Sequence, residues 1–138
     1  MTRTLFILFI FCALLTSCSK YPEGPGISLR SRTARAVNIW KFQTATDSGG
    51  TDISSSYNNW LFSIDENQNL LVQWYLSGVR VDTYGSWAFD ADKSHLVLEY
   101  TNTILEVEFP KTLKILKLKE TNLLIEGDGI EFDLSGTL

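Results

Sequence analysis

The feature that most constrains the fold is an alternation of apolar and polar residues that begins near Ile39 and continues to the end of the chain. Successive side chains of a β-strand point to opposite faces, so this period of two indicates strands with one buried face. The segments with this pattern are residues 39–46, 58–64, 69–76, 79–89, 95–101, 103–109, 112–119, 123–126 and 130–136. Between Ile115 and Leu116 the alternation slips by one residue, which predicts a β-bulge.

Short polar segments rich in Asp, Asn, Ser and Gly separate these strands, as at 65–69, 77–78, 90–94 and 127–129. Connections of this length favour hairpins, in which strands adjacent in sequence also pair in space. A meander with one apolar face tends to close on itself because closure removes its exposed edges. We therefore predict an all-β fold, an up-and-down antiparallel β-barrel of about eight strands, with a β-sandwich as the alternative.

One short N-terminal helix is predicted over residues 27–38 (ISLRSRTARAVN), with Ser28 as its N-cap. Apolar side chains share one face of this segment at spacings of three and four, and Arg30, Arg32 and Arg35 occupy the remainder. The arginines are expected to form a solvated helix face; alternatively, they face lipid headgroups.

The sequence at the start of the chain is typical of an export signal. Arg3 precedes the wholly apolar run 5–15, which is shorter than the ~20 residues of a membrane span, and small residues follow it. Residues 15–18 (LTSC) then resemble the lipobox of bacterial lipoproteins, in which the cysteine receives a diacylglycerol and becomes the new N-terminus. The resemblance implies a signal peptide at 1–17 and lipidation of Cys18. Residues 18–27, rich in Pro and Gly, are expected to be a flexible tether before a domain at 28–138.

Composition excludes several functional classes. The chain has 138 residues, enough for one domain, and a net charge of −4 without a long basic block, which argues against a nucleic-acid partner. Cys12 would leave with the signal and Cys18 would be acylated, so disulfides and cysteine chemistry are not expected in the mature protein. No cofactor is expected.

Two short motifs point to a family. Residues 38–42 (NIWKF) begin the first strand, and residues 85–89 (GSWAF) precede an acidic turn. Together with the lipobox, the tether and the basic helix, they resemble the lipocalin-like lipoproteins of Bacteroidota, although Asn38 stands where that family usually has Gly. The resemblance implies a barrel closed at one end by the helix, with Trp40 and Trp87 as structural plugs. It also implies a monomer anchored by lipid in the cell envelope, with the outer membrane expected and its periplasmic or surface face left open.

Aromatic residues in the first half of the meander are the candidate ligand-binding site. Aromatic faces suit apolar molecules and sugar rings, and nearby polar residues would orient a headgroup. The candidates are Trp60, Trp74, Tyr75, Gln73, Arg80 and Tyr84. The alternative is that Trp60 and Trp74 belong to the ordinary core, because the interior of a small barrel can be filled by side chains.

No catalytic or metal centre is predicted. His95 lies at a turn without visible partners, and Glu106 and Glu108 fit a solvated strand face. The acidic turn residues Asp90 and Asp92 lack the spacing of an EF-hand, and no set of nucleophile, base and orienting residue can be assembled. We therefore expect a non-enzymatic protein that binds a small hydrophobic molecule. The alternative is a protein- or glycan-interaction accessory module with a filled barrel.

Overall fold

The computed structural model describes residues 29–100 and 109–137. They form one α-helix, one 3₁₀-helix and eight strands. These elements are α1 (Arg32–Ala36), β1 (Asn38–Asp47), the 3₁₀-helix (Ser54–Tyr57), β2 (Leu61–Ile64), β3 (Asn69–Leu76), β4 (Val79–Phe89), β5 (His95–Tyr100), β6 (Thr112–Leu118), β7 (Asn122–Gly127) and β8 (Ile130–Gly136).

The strands form a closed antiparallel barrel in which each strand pairs with the next along the chain. β8 returns to β1 and closes the sheet through a register that runs from Trp40 opposite Gly136 to Asp47 opposite Ile130. The prediction of an up-and-down barrel is confirmed, and the alternative of a two-sheet sandwich is wrong. The predicted strand at 103–109 lies outside the described residues except for Phe109.

Two tight turns fix the register of their hairpins. Ser77 and Gly78 connect β3 to β4 with φ values of 49° and 81°, and Asp128 and Gly129 connect β7 to β8 with φ values of 50° and 77°. Two consecutive residues with positive φ match the twist of the flanking strands, which is why short hairpins favour such turns. The prediction of a hairpin turn at 127–129 is therefore confirmed.

Two bulges bend the barrel wall. The predicted one is confirmed, because the β6–β7 register shifts between Ile115 and Lys117. The second was not predicted and lies in β1, where the register against β8 shifts between Phe42 and Thr44. Its sequence signal is the pair of polar residues Gln43 and Thr44, which interrupts the alternation. Beyond Lys41, β1 has no further register partner in β2, and the segment with the 3₁₀-helix lies beside it instead.

The N-terminal helix is shorter than predicted. It begins at Arg32 rather than in the segment before it. Its N-cap is Ser31 and not Ser28, because the Ser31 Oγ accepts a hydrogen bond from Ala34 N at 3.1 Å. Ser28 itself lies outside the described residues. The helix ends before Asn38 because that residue is already paired with Ile64 in the barrel wall. Tertiary pairing has thus shortened a helix that local periodicity alone would extend.

The buried apolar side chains of the described residues form one core inside the barrel. We call the end where α1 lies the helix end and the opposite end, with the β3–β4 and β7–β8 turns, the hairpin end. The core residues are Ala36, Trp40, Ala45, Trp60, Phe62, Ile64, Leu70, Val72, Trp74, Trp87, Leu96, Leu98, Phe109, Leu113, Ile115, Leu118, Leu123, Ile125, Phe132 and Leu134. Apolar burial on this scale supplies most of the favourable free energy of folding.

Candidate functional site

The six candidate binding residues lie in two separate groups. Trp60 and Trp74 are inside the barrel, with 6% and 3% of their surface exposed. Gln73, Tyr75, Arg80 and Tyr84 point outward, because adjacent residues of a strand face opposite sides. The six residues therefore lie on opposite sides of the barrel wall, and a molecule inside the barrel would not reach the outer four.

The inner group is packed ring against ring at the hairpin end. The centroids of Trp60 and Trp74 are 5.8 Å apart, and that of Phe109 lies 6.3 Å from Trp60. The indole N–H of Trp74 donates to the hydroxyl of Thr83 at 3.2 Å, so the polar atom of the ring is satisfied inside the barrel. Such geometry is typical of a packed aromatic core. Trp60 and Trp74 thus match the alternative that sequence reasoning left open, in which both are core residues.

The outer group forms one continuous surface, which we call the β3–β4 face. It consists of three cross-strand pairs, Leu71 with Tyr84, Gln73 with Asp82, and Tyr75 with Arg80. Asp82 organises the centre of this face, accepting from Gln73 Nε2 at 3.1 Å and pairing with Arg80 Nε at 3.2 Å. Tyr75 and Tyr84 remain 44% and 68% exposed on either side of this charged centre.

The tip of the β3–β4 hairpin adds two exposed aliphatic side chains to this region. Leu76 and Val79 are paired across the turn and are 40% and 66% exposed. Their alternation matches the inward residues of their strands, but here they extend past the packed aromatic rings at the hairpin end. The two tyrosines and two aliphatic residues are four of the six large hydrophobic residues that are exposed in the described part of the chain. Of these four, the two tyrosines belong to the β3–β4 face, whereas Leu76 and Val79 lie on the inward side of their strands at the hairpin tip.

Both predicted plug residues lie at the helix end. Trp40 is fully buried, and its indole N–H donates to the carbonyl of Ala36, the last residue of α1, at 2.8 Å. Trp87 is also buried, and its indole N–H donates to the carbonyl of Asp65 in the β2–β3 turn at 3.0 Å. Each ring therefore ties a segment beyond the barrel wall to the wall itself. This arrangement fits a structural role for both tryptophans.

Asn38 is a residue whose role sequence reasoning missed. It stands where the resemblance expects Gly, and it is 3% exposed. Its Oδ1 accepts from the backbone N–H of Ile39 at 2.8 Å and of Thr137 at 3.0 Å, and its Nδ2 donates to the carbonyl of Glu120 at 3.2 Å. Asn38 therefore connects the first strand, the β6–β7 turn and the C-terminal segment. The space for its amide exists because residue 136 is Gly, where a Cβ would overlap Asn38 Nδ2.

The structure also explains why residue 85 of the GSWAF motif is a glycine. A Cβ at this position would overlap the carbonyl oxygen of Glu99 and lie 2.8 Å from the Cβ of Tyr100. Glycine thus permits the close approach of β4 to β5 at the point where their pairing begins, with Gly85 opposite Tyr100.

The basic residues of the helix segment do not form the single solvated face that the sequence predicts. Arg35 is buried, and its Nη1 donates to the carbonyl of Arg30 at 2.8 Å. Arg30 pairs with Glu120 of the β6–β7 turn. Arg30 and Arg35 are therefore engaged within the helix end, and the helical periodicity of the sequence could not reveal this because it contains no information on burial.

His95 has partners that the sequence did not make visible. Its Nδ1 lies 2.8 Å from Asp90 Oδ2 and 2.8 Å from Ser94 Oγ. These three side chains do not form a catalytic triad, because a triad uses the two ring nitrogens for different partners and here both partners share one nitrogen. Asp90, Asp92 and His95 place potential metal-ligating atoms within 4.8 Å of one another. Their carboxylates already accept the backbone N–H groups of the turn, so this cluster is first of all a turn-stabilising network.

Hydrogen bonding in this turn changes the acidity of Asp90. The backbone N–H of His95 is the largest contribution that holds the pKa of Asp90 well below its ordinary value of 3.8, and the His95 and Ser94 side chains act in the same direction. The carboxylate is therefore ionised throughout the neutral range. Glu106 and Glu108, which were expected on a solvated strand face, and the lipidation candidate Cys18 lie outside the described residues.

Comparisons with known proteins agree with the architecture. No protein-family model matches the chain, and no curated protein does. A lipocalin-like protein from Bacteroides uniformis matches with a TM-score of 0.60 and 11% identity, over 75% of this chain and 99% of its own. A DUF4847 family protein from Bacteroides vulgatus matches with a TM-score of 0.53 and 7% identity, over 74% of this chain and 94% of its own.

At these identities the likeness shows the fold, and the fold is a lipocalin-like barrel. Within the described residues, no helix is long and apolar enough to cross a membrane.

Proposed function

We propose that the protein is a lipid-anchored, non-catalytic binding module of the cell envelope that docks another envelope protein through the β3–β4 face. The observation that carries the proposal is the separation of the aromatic residues. The inward tryptophans are packed in the core, whereas Tyr75 and Tyr84 are exposed around a fixed Arg80–Asp82 pair. Tyr and Arg are the residue types that most often dominate binding energy at protein interfaces.

The fixed orientation of the polar side chains on the β3–β4 face supports recognition of a folded partner. Asp82 holds the guanidinium of Arg80 and the amide of Gln73, so these polar groups are already oriented before binding. A pre-oriented surface loses less conformational entropy when it binds.

The anchor belongs to the same proposal. The lipobox-like LTSC at the end of an apolar run supports cleavage before Cys18 and its acylation. Each buried CH₂ contributes ~0.8 kcal/mol, so several acyl chains would hold the protein firmly on a membrane. The first described residues lie at the helix end, which supports an orientation with that end towards the lipid and the hairpin end away from it. Intact mass measurement of the membrane-extracted protein tests the anchor, because it should give the chain without residues 1–17 plus a diacylglycerol. The Cys18→Ser variant should instead accumulate as the uncleaved precursor.

Site-specific photo-cross-linking in the host cell tests the docking surface. A benzophenone side chain at position 84 should give one discrete adduct, and the same group at Glu131, exposed on β8, should give none. Adding Arg80→Ala should lower the adduct yield at position 84, because the guanidinium lies on the same face. Identical adducts at both positions, or none at either, would contradict the proposal.

A second candidate function is carriage of a small hydrophobic molecule inside the barrel. The observation that favours it is the composition of the interior, where Arg35, Asn38 and Thr83 are the polar residues among the buried ones described. A ligand would have to displace the packed rings of Trp60 and Trp74. Native mass spectrometry of the full lipidated protein, purified from its own host, tests this function. A bound mass that disappears in Trp74→Ala would support carriage, and the bare protein mass in repeated preparations would exclude it.

A further inference from the structure

The pairing of the barrel wall changes at the bulge in β1. Gln43 is the extra residue of the bulge, and beyond Lys41 β1 has no register partner in β2. The outer half of β1 instead bonds to the segment before the 3₁₀-helix, where Ile53 N donates to the Ala45 carbonyl at 2.8 Å. A depression of about 200 Å³ lies at this point, which we call the side depression. Its lining residues are Phe42, Gln43, Thr44, Ser54, Ser55, Tyr57 and Asn58. Bulges of this kind often lie beside binding sites, since they redirect side chains.

The side depression combines an aromatic part with neutral polar groups. Phe42 and Tyr57 are stacked, with centroids 5.8 Å apart and planes at 14°, and both are partly exposed. Behind them, the ring of Trp60 meets Tyr57 edge to face at 5.1 Å, so the two rings are supported by the core. A ring held in this way offers a rigid apolar surface at low entropic cost.

Most of the polar side chains around these rings are free to bind. Ser54 Oγ already accepts from Ala45 N at 2.9 Å, and Gln43 Nε2 donates to Ser135 Oγ at 2.9 Å. By contrast, the side chains of Thr44, Ser55, Tyr57 and Asn58 make no hydrogen bond within the described part of the chain. Burial raises the pKa of Tyr57, so its hydroxyl stays neutral and can both donate and accept.

The charge of the site decides which ligand class fits it. None of the residues that line the side depression is charged, so nothing there would compensate a phosphate, a carboxylate or a metal ion. A purely apolar ligand would leave the hydroxyl and amide groups without partners, which costs binding free energy. A sugar ring satisfies both requirements, because its C–H face packs on an aromatic ring while its hydroxyls exchange hydrogen bonds with neutral side chains.

We propose that the side depression binds one neutral sugar ring of a glycan. The ring packs against the aromatic pair of Phe42 and Tyr57, and its hydroxyls bond to Asn58 and the neighbouring hydroxyl side chains. This site lies on a different part of the wall from the β3–β4 face, so it is an addition to the proposed function and either can fail without the other.

Saturation-transfer NMR on the full lipidated protein in detergent micelles tests the site. The probes are the methyl glycosides of glucose, galactose, mannose and N-acetylglucosamine. At least one of them should receive saturation from the wild-type protein. The Tyr57→Leu variant, which keeps apolar bulk but removes the aromatic face, should weaken its binding about fivefold. The exposed residue Asn58 provides a second variant that is not expected to disturb folding, and Asn58→Ala should weaken binding by a similar factor.

The matched control is Tyr84→Leu, the same substitution on the β3–β4 face, and it should leave glycoside binding within about twofold of wild type. Thermal unfolding of each variant shows that it is folded; if Tyr57→Leu is not, Asn58→Ala alone decides. Absence of saturation transfer to all four glycosides in the wild type would overturn the inference. Equal losses in Asn58→Ala and Tyr84→Leu would also overturn it.

Discussion

Asn38→Ala should destabilise the barrel more than any comparable change of an exposed asparagine. The substitution removes the hydrogen bonds of a buried amide to Ile39 N, Thr137 N and the Glu120 carbonyl, at 2.8, 3.0 and 3.2 Å. At about 1 kcal/mol net for each hydrogen bond, the three predict a loss of about 3 kcal/mol in the free energy of unfolding. For a domain of this size, that corresponds to a melting temperature about 10 °C lower.

Urea unfolding followed by tryptophan fluorescence measures this loss, since Trp40 lies beside Asn38 at the helix end. The matched control is Asn67→Ala in the exposed β2–β3 turn, which should change the free energy of unfolding by less than about 0.5 kcal/mol. If Asn38→Ala lost no more stability than Asn67→Ala, the view that this amide connects three segments would be refuted.

A double-mutant cycle with residue 136 sharpens the same prediction. A Cβ at Gly136 would overlap Asn38 Nδ2, so Gly136→Ala should cost more in the wild type than in the Asn38→Ala background, where the amide is absent. Trp40 also lies close to this position, at 3.0 Å from the added Cβ, and should keep part of the cost in both backgrounds. Purely additive effects would show that the two residues do not share this space.

Three further predictions concern the barrel wall, the core and the acidic turn. Gly85→Ala should lower stability by several times more than Gly49→Ala in the exposed turn after β1, because the Cβ at Gly85 meets the backbone of β5 whereas that at Gly49 meets only side-chain atoms; equal melting temperatures would contradict this. Trp74→Ala should cost about 3–5 kcal/mol in urea unfolding, as expected for truncation of a packed core aromatic, and a cost below about 1 kcal/mol would indicate an already open interior. Asp90→Asn should lower the melting temperature at neutral pH, and its difference from wild type should shrink as the pH falls below about 4.

The sign of the last prediction follows from the direction of the pKa change. Because folding lowers the pKa of Asp90 from 3.8, its ionised form favours the folded state at all pH values above the unfolded pKa. Protonation at lower pH removes that contribution. A melting-temperature difference that stays constant from neutral to acidic pH would show that the Asp90 charge does not stabilise the turn.

Much of the fold was predictable because strand formation here is governed by local signals. The period of two, the turn residues and the slipped alternation near Ile115 are all properties of a few consecutive residues, and each reappears in the barrel. The helix was less predictable, since pairing of Asn38 with Ile64 ends it early. The bulge at Gln43 was also missed, because two adjacent polar residues fit a turn as well as a bulge.

The location of the candidate site depended on which face of each strand lies inside the barrel, and the sequence specifies this only in part. Alternation alone requires Trp74 and Tyr75 to face opposite sides of β3, but it does not say which side becomes the interior. Closure of β8 onto β1 decides that question, and it leaves the tryptophans inside and the β3–β4 face outside. The partners of Asn38 and His95 likewise come from other segments, so no local pattern could identify them.

The sequence by itself therefore determined most of the strands, their order and their antiparallel pairing, because these depend on short-range periodicity and on turns between neighbours, and it left a barrel and a sandwich as alternatives. Only the tertiary structure decided where recognition can take place. It places Trp60 in a packed core, gathers Tyr75, Arg80 and Tyr84 on one outer surface, and forms a surface depression beside Gln43. The physical reason is that burial and surface exposure are properties of the closed barrel as a whole and not of any single strand.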